Sequence, residues 1–339
     1  MSYADAKAIA KSAIPVIDMA PLHDGTIDGA RHVARQLLNA AETIGFFYVC
    51  NHGLPKDLIA RTDAVARRFF SLPLEQKQQV KVTPWHRGYI RIGEAKMYET
   101  AKPDLKESFI WGMELDHEAA QNGAAHSLRG PNQWPEFPAE MRPTLNEFFN
   151  AANQCGRVLF RAFAAGLGLD LDHFTQQFDR PITRGALIFY PPQQPDLTEG
   201  QFGVAPHTDY GCLTLLYQDP IGGLQVQGRN GEWVVAHPIE ETLVVNIGDL
   251  MARWTNNLFK STPHRVINQS GRQRLSIGIF VDPNYETEVV PICRDGEAPL
   301  FAPVACGDYI VSRYDASFAY RNKDNAGNND SAGNTNSTA

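Results

Sequence analysis

The chain has 339 residues, with 31 Lys and Arg against 38 Asp and Glu for a formal net charge of −7, and it is 43% hydrophobic and 20% charged. This balance is ordinary for a globular protein and excludes collagen-like, coiled-coil and wholly disordered chains. The acidic excess argues against nucleic-acid and anionic-membrane partners, which need a basic face, while leaving room for a local basic pocket that takes a small anion.

In chain order, the first residues hold no apolar run long enough for a signal-peptide core, and Lys11 interrupts them. No later stretch approaches the roughly 18 apolar residues of a membrane span. IPVIDM (14–19) reads as a strand. Apolar residues at helical spacing over 30–43 predict a helix, with Gly45 as its stop signal. GFFYVCNHG (45–53) gives a short strand and a turn, 55–70 a second helix, and LPLEQKQQV (72–80) a third. The stretch 84–116 is mixed, and a long helical pattern covers 139–167, ending at Gly166 and Gly168.

From Arg184 the texture changes. ALIFY, CLTLLYQ, GLQVQ, EWVVA, TLVVNI, HRVIN and RLSIGIFV are short, rich in β-branched and aromatic residues, and punctuated by Gly, Pro, Asn or Asp. Such spacing predicts a sandwich or barrel, not parallel βαβ units. AAGLGLDLD, around Gly166 and Gly168, follows a helix and lacks a third glycine, so it is a helix end and not a dinucleotide fingerprint. The eighteen residues 322–339 contain no large apolar side chain and are expected to form a disordered tail. Cys50, Cys155, Cys212, Cys293 and Cys306 form no C-x-x-C pair, which points to a reduced, cytoplasmic protein. N-x-[ST] matches at Asn268, Asn329 and Asn336 are read as chance.

Two constellations carry chemistry. His207-Thr208-Asp209 is the one H-x-D in the chain, and it opens a strand-like run. On a strand, residues i and i+2 share a face, so both side chains can reach one metal ion while Thr208 points away. A third ligand is expected from a neighbouring strand. His264 begins such a strand and is the better candidate; His237, on another loop, competes with it. Two histidines and one carboxylate leave open positions on iron, whereas structural zinc sites are closed and commonly cysteine-rich. Cys212, three positions from Asp209, reads as core. The second constellation is Arg274-Leu275-Ser276, the one R-x-S, whose guanidinium and hydroxyl share a strand face and suit a carboxylate.

HTDYGCLTLLYQD, GGLQV, VVNIGDLMARWTNNLFKSTPHRV and RLSIGIFVDPN, with IPVIDM, GFFYVCNHG, RGYI and KESFIWG upstream, resemble the isopenicillin-N-synthase-like family of iron(II)- and 2-oxoglutarate-dependent dioxygenases over about residues 13 to 290. The resemblance implies a double-stranded β-helix, or jelly roll, mainly β with a helical flank and an N-terminal α/β region. It implies Fe(II) on His207, Asp209 and His264, and 2-oxoglutarate held at its distal carboxylate by Arg274, Ser276 and Tyr190, with O2 as the other co-substrate. Many members carry Asn two positions before that tyrosine; here the residue is Ile188. The implied reaction couples decarboxylation of 2-oxoglutarate to succinate with hydroxylation, desaturation or ring closure of a small metabolite. Asn246 and Asp249 read as ordering a turn.

The family places substrate between the barrel mouth and the N-terminal portion, which nominates Tyr89, Arg91, Phe109, Phe280 and Asp282, with Tyr314 or Phe318 from a C-terminal lid. The barrel segments read closer to microbial members than to plant flavonoid enzymes; amino acid, nucleobase and aromatic secondary metabolite are all open. The expected organisation is an N-terminal dioxygenase-type region at 10–135, a helical linker at 136–182, the jelly-roll core at 183–290, a C-terminal segment at 291–321 and the tail. A monomer or weak oligomer is expected. Two alternatives are an iron oxidase that uses no 2-oxoglutarate, as isopenicillin N synthase does, and a non-catalytic jelly roll.

Overall fold

The computed structural model describes residues 14–95, 102–115, 127–193 and 201–317; Phe318 and the expected tail lie outside them. Its helices are α1 (Ile27–Thr43), α2 (Lys56–Phe70), α3 (Leu74–Gln78), α4 (Met141–Gly166), α5 (Asp249–Trp254) and α6 (Cys306–Ser317). Its strands are β1 (Val16–Asp18), β2 (Phe46–Cys50), β3 (Gly88–Ile90), β4 (Glu107–Gly112), β5 (Arg184–Tyr190), β6 (Val204–His207) and β7 (Leu213–Gln218). They continue as β8 (Leu224–Gln227), β9 (Trp233–Val235), β10 (Leu243–Ile247), β11 (His264–Val266), β12 (Arg274–Val281), β13 (Glu288–Val289) and β14 (Val304–Ala305).

Local chemistry sets the helix ends. Thr26 accepts a hydrogen bond from the Gly29 N–H at 3.1 Å, which starts α1 three residues before the apolar periodicity alone places it. Gly45, at φ +67°, then turns the chain into β2. The mixed stretch 84–116 contains β3 and β4, which the sequence does not announce: all six residues of β4 are buried, so no apolar–polar alternation marks it. α6 likewise falls in what reads as an undifferentiated C-terminal segment.

An eight-stranded sheet in the order β1-β2-β10-β7-β12-β5-β4-β3 faces a four-stranded sheet in the order β6-β11-β8-β9, the jelly-roll arrangement; neither sheet closes on itself. β1 and β2 run parallel, and every pairing inside the sandwich is antiparallel. Both faces of the large sheet are covered. Leu275, Ile277, Ile279 and Val281 of β12 pack against α2 and α4, in the main core. The alternate residues of the same sheet, with Phe46, Tyr48, Tyr190 and Val244, meet Leu224, Val226 and Val266 of the small sheet. Successive side chains on a strand point to opposite faces, so even-numbered positions of β12, β5, β10, β7 and β2 look into the sandwich. No helix among the described residues is long and apolar enough to cross a membrane.

Candidate active site

His207 closes β6 and His264 opens β11, and the two are paired residues of one antiparallel ladder. Their rings lie 4.2 Å apart between centroids, tilted at 51°. Asp209 follows two residues after His207, and its Oδ1 is 3.7 Å from the Nε2 of each histidine. One ligand atom from each of the three residues falls within 4.8 Å of the others, the spacing of a metal site. His237, the competing third histidine, is exposed on the loop after β9, where its carbonyl accepts the Tyr48 hydroxyl at 2.7 Å.

The surrounding hydrogen bonds orient each of the three side chains. His207 Nδ1–H donates to the Ala205 carbonyl at 2.8 Å, and His264 Nδ1–H to that of Thr262 at 3.2 Å. Both Nε2 lone pairs are thereby turned to the common centre. Asp209 Oδ2 accepts from Asn246 Nδ2 at 2.7 Å and from the Thr214 hydroxyl, leaving Oδ1 to face the histidines. Asn246 and Thr214 are register partners on β10 and β7, both inward. The Asp249 N–H donates to the Asp209 carbonyl at 2.7 Å, and the Asp249 carboxylate accepts from Thr208 and Ser261, so α5 braces the loop that carries Asp209.

Charge states suit the site. Burial pushes the His207 imidazole down to about 3, with His264 acting in the same direction, so it is neutral near pH 7. Burial by itself would raise the Asp209 carboxyl. The two histidines and the Asn246 and Thr214 hydrogen bonds outweigh it and hold the group below the usual carboxylate range.

On the facing sheet Arg274 is fully buried. Its register partner is Tyr190, and the guanidinium carbon sits 4.6 Å from the centre of that ring. Nη1 donates to Ser276 Oγ at 3.2 Å and Nε to the Gly222 carbonyl, while Nη2 has no hydrogen-bond partner among the described residues. The turn before β8 fixes this arginine from below. Gly223 stands at φ +94°, and a Cβ there would lie 2.6 Å from the Ile267 carbonyl oxygen, so glycine is required. Ile188 is paired with Ser276 on the same inward face and contributes an apolar wall.

Next to His207 and Asp209 lies a cavity of about 100 Å³. Phe280 and Tyr314 of the nominated residues line it, as do Lys106, Ser108, Arg184 and His86. Tyr89 and Phe109 do not border it. They sit between Gly88 and Ile90 and between Ser108 and Ile110, and Ile90, Ser108 and Ile110 are the residues that face it. Strand parity therefore turns Tyr89 and Phe109 to the helix side. There the Tyr89 hydroxyl reaches Glu107, which Lys77 also holds at 2.7 Å, and Phe109 packs on Phe69. Arg91 lies beyond β3, exposed, with Glu94 3.1 Å away. Asp282 is buried behind the cavity, where it pairs with Arg184 at 3.1 Å and accepts the Cys212 N–H at 2.7 Å. Cys212 is core.

Sequence reasoning passed over Asn246 and Thr214 as holders of Asp209, and Lys106, His86 and Arg184 as cavity residues. Parity was the available signal for two of them. Arg184 is six residues before Tyr190 on one strand, and Lys106 shares the parity of Ser108 and Ile110. α6 completes the cavity with Tyr314, whose ring lies 4.5 Å from that of His86 at a tilt of 36°, and ties to the loop carrying Asp209 where the hydroxyls of Tyr210 and Ser317 meet at 2.7 Å.

The chain matches two family models. One, described as the N-terminal region of non-haem dioxygenases in morphine synthesis, covers residues 14–137; the other, the 2OG-Fe(II) oxygenase superfamily, covers 182–283. It is 36% identical to the 2-oxoglutarate-Fe(II) type oxidoreductase hxnY of Emericella nidulans, over 91% of this chain and 92% of that protein. It is 35% identical to a homoarginine-6-hydroxylase of rice, over 89% of this chain and 96% of the relative. The solved structure of a full-length Neurospora crassa protein in complex with alpha-KG and thymine superposes with a TM-score of 0.80 at 32% identity, covering 91% of this chain and 98% of that one. With the His-Asp-His cluster and the buried arginine in place, the chain belongs to the isopenicillin-N-synthase-like family of Fe(II)- and 2-oxoglutarate-dependent oxygenases, enzymes that couple decarboxylation of 2-oxoglutarate to oxidation of a small organic substrate.

Proposed function

We propose that His207, Asp209 and His264 hold Fe(II), that Arg274, Ser276 and Tyr190 receive the distal carboxylate of 2-oxoglutarate, and that a small metabolite is hydroxylated in the adjoining cavity. Arg274 carries this reading. A fully buried guanidinium whose Nη2 lacks a partner among the described residues leaves a charge uncompensated, and a carboxylate beside Ser276 supplies the missing anion. The donor set supports iron: two imidazoles and one carboxylate suit a metal that keeps open positions for co-substrate and oxygen. When bound, Fe(II) and 2-oxoglutarate supply the oxidising chemistry.

The protein's own groups do the positioning. The carbonyls of Ala205 and Thr262 fix the histidine tautomers, and Asn246 and Thr214 hold one carboxylate oxygen so that the other faces the metal. Tyr314 and His86 close one end of the cavity and keep water from the reacting centre. The compounds named with the relatives, homoarginine and thymine, are candidate substrates for this chain. Five free cysteines and the net negative charge support a cytoplasmic protein without nucleic-acid or membrane partners, working as a monomer or weak oligomer.

Anaerobic titration tests the assignment. Protein loaded with Fe(II) should develop a visible charge-transfer band on adding 2-oxoglutarate, and release succinate when oxygen is admitted. His207→Ala should lose both iron and band. Absence of the band in the unaltered protein, or normal iron binding by the variant, contradicts it.

A further inference from the structure

The charge lining the cavity is one-sided. Apart from Asp209, which belongs to the metal cluster, no carboxylate side chain borders it among the described residues, whereas Lys106 and Arg184 both do. Each cation has a carboxylate partner placed behind it. Asp104 Oδ2 is 3.4 Å from Lys106 Nζ, and Asp282 Oδ2 is 3.1 Å from Arg184 Nη1. Those carboxylates are themselves tied to backbone, Asp104 by the Ala205 N–H at 3.0 Å and Asp282 by that of Cys212 at 2.7 Å. They fix the cations in place without presenting negative charge to the cavity. Donors are left over: an ammonium has three N–H and a guanidinium five, and Arg184 Nε has no hydrogen-bond partner among the described residues.

The walls add shape. The Arg184 guanidinium carbon lies 5.5 Å from the Phe280 ring centre and 5.2 Å from that of Tyr314, so the cation is set among aromatic faces. Ile90 and Ile110 supply an apolar floor, and the space of about 100 Å³ suits one ring better than a long flexible chain.

We infer that the substrate of this site is a compact anionic ring compound, a monocarboxylate on a single aromatic or heteroaromatic ring, with Lys106 receiving the carboxylate and the ring lying against Phe280, the register partner of Arg184. The inference rests on the cavity being the substrate site, as proposed above. A cationic substrate would meet two fixed cations and gain no new carboxylate. A neutral ring would leave buried donors unpaired.

Calorimetric titration separates these cases, because it reads binding without turnover. Benzoate and hydroxybenzoates, their neutral isostere benzamide, thymine and homoarginine are titrated into the metal-free full chain and into the anaerobic Fe(II)–2-oxoglutarate complex. The ring carboxylates should bind at least about tenfold more tightly than benzamide, the worth of a charge-assisted hydrogen bond. Lys106→Met should remove most of that preference, Lys106→Arg should keep it, and both should leave 2-oxoglutarate affinity within about twofold, since neither touches Arg274. Equal or tighter binding of benzamide, thymine or homoarginine overturns the inference, as does an unchanged preference in Lys106→Met. The metal-free arm isolates it from the iron and co-substrate assignment: loss of the charge-transfer band with carboxylate preference intact counts against that assignment and not against this inference.

Discussion

Asn246 donates from Nδ2 to Asp209 Oδ2 across 2.7 Å, reaching from the large sheet to a carboxylate on the loop that follows β6 of the small one. With Thr214, its register partner, it forms a two-donor shelf for a single carboxylate oxygen. The site is thus assembled across the gap between two sheets, and its geometry depends on their packing.

Removing that donor is expected to loosen the metal. Asn246→Ala should lower Fe(II) affinity by about 10- to 100-fold, the usual cost of losing a group that orients a ligand. Anaerobic Fe(II) titration checks this, with Thr214→Val showing a smaller loss in the same direction. Unchanged affinity in both would mean that Asp209 is held adequately by its backbone contact to Asp249.

Arg274 acts through its shape as well as its charge. Lysine keeps the charge but cannot both stack on Tyr190 and bond Gly222 and Ser276 at once. Arg274→Lys should raise the 2-oxoglutarate KM by about tenfold or more, as expected for a lost charge-assisted bond. Iron affinity should stay within about twofold, since the two sites share no side chain. Steady-state kinetics and metal titration read the two effects separately.

His52 gives the fold a pH dependence distinct from the active site. It is buried, its Nδ1 accepts the Leu54 N–H at 3.1 Å, and burial, with help from His23, lowers its pKa below 6.5. As pH falls below 6.5 the unfolded chain takes up this proton before the folded one does. Stability should therefore decline as pH drops from 6.5 toward the folded value, and level off below it. His52→Gln, which keeps an acceptor but does not titrate, should flatten the curve of melting temperature against pH over that window.

Gly156 lets α4 approach β12. A Cβ there would lie 2.8 Å from Val281 Cγ1 and 3.1 Å from Cγ2, too close for a stiff β-branched neighbour. Gly156→Ala should lower the melting temperature, because overpacking of about 1–3 kcal/mol outweighs the helix-propensity gain of about 1 kcal/mol. In a Val281→Ala background the same change should be neutral or stabilising, and that reversal is the signature of a direct clash.

Much of the centre was legible in sequence because its parts are local. His207 and Asp209 share a face through a spacing of two, Arg274 and Ser276 do the same, and the flanking strands announce themselves by composition. Ile188 in place of the family's asparagine was also visible, and in the fold it forms apolar wall beside Ser276. The limits of α1 to α4 were readable to within a few residues, apart from the Thr26 cap, whereas α5 and α6 were not announced.

Only the tertiary structure decided which side of each strand faces the cavity. β3 and β4 are buried throughout, so their sequences carry no alternation from which to tell Tyr89 from Ile90 or Phe109 from Ser108. The choice of His264 over His237 rests on ladder pairing with His207, between residues far apart in the chain. The grip of Asn246 and Thr214 on Asp209 requires two sheets to meet face to face. Local spacing determined which residues could act together; long-range register determined which of them look inward, because a shift of one residue turns a strand's entire set of side chains to the other face.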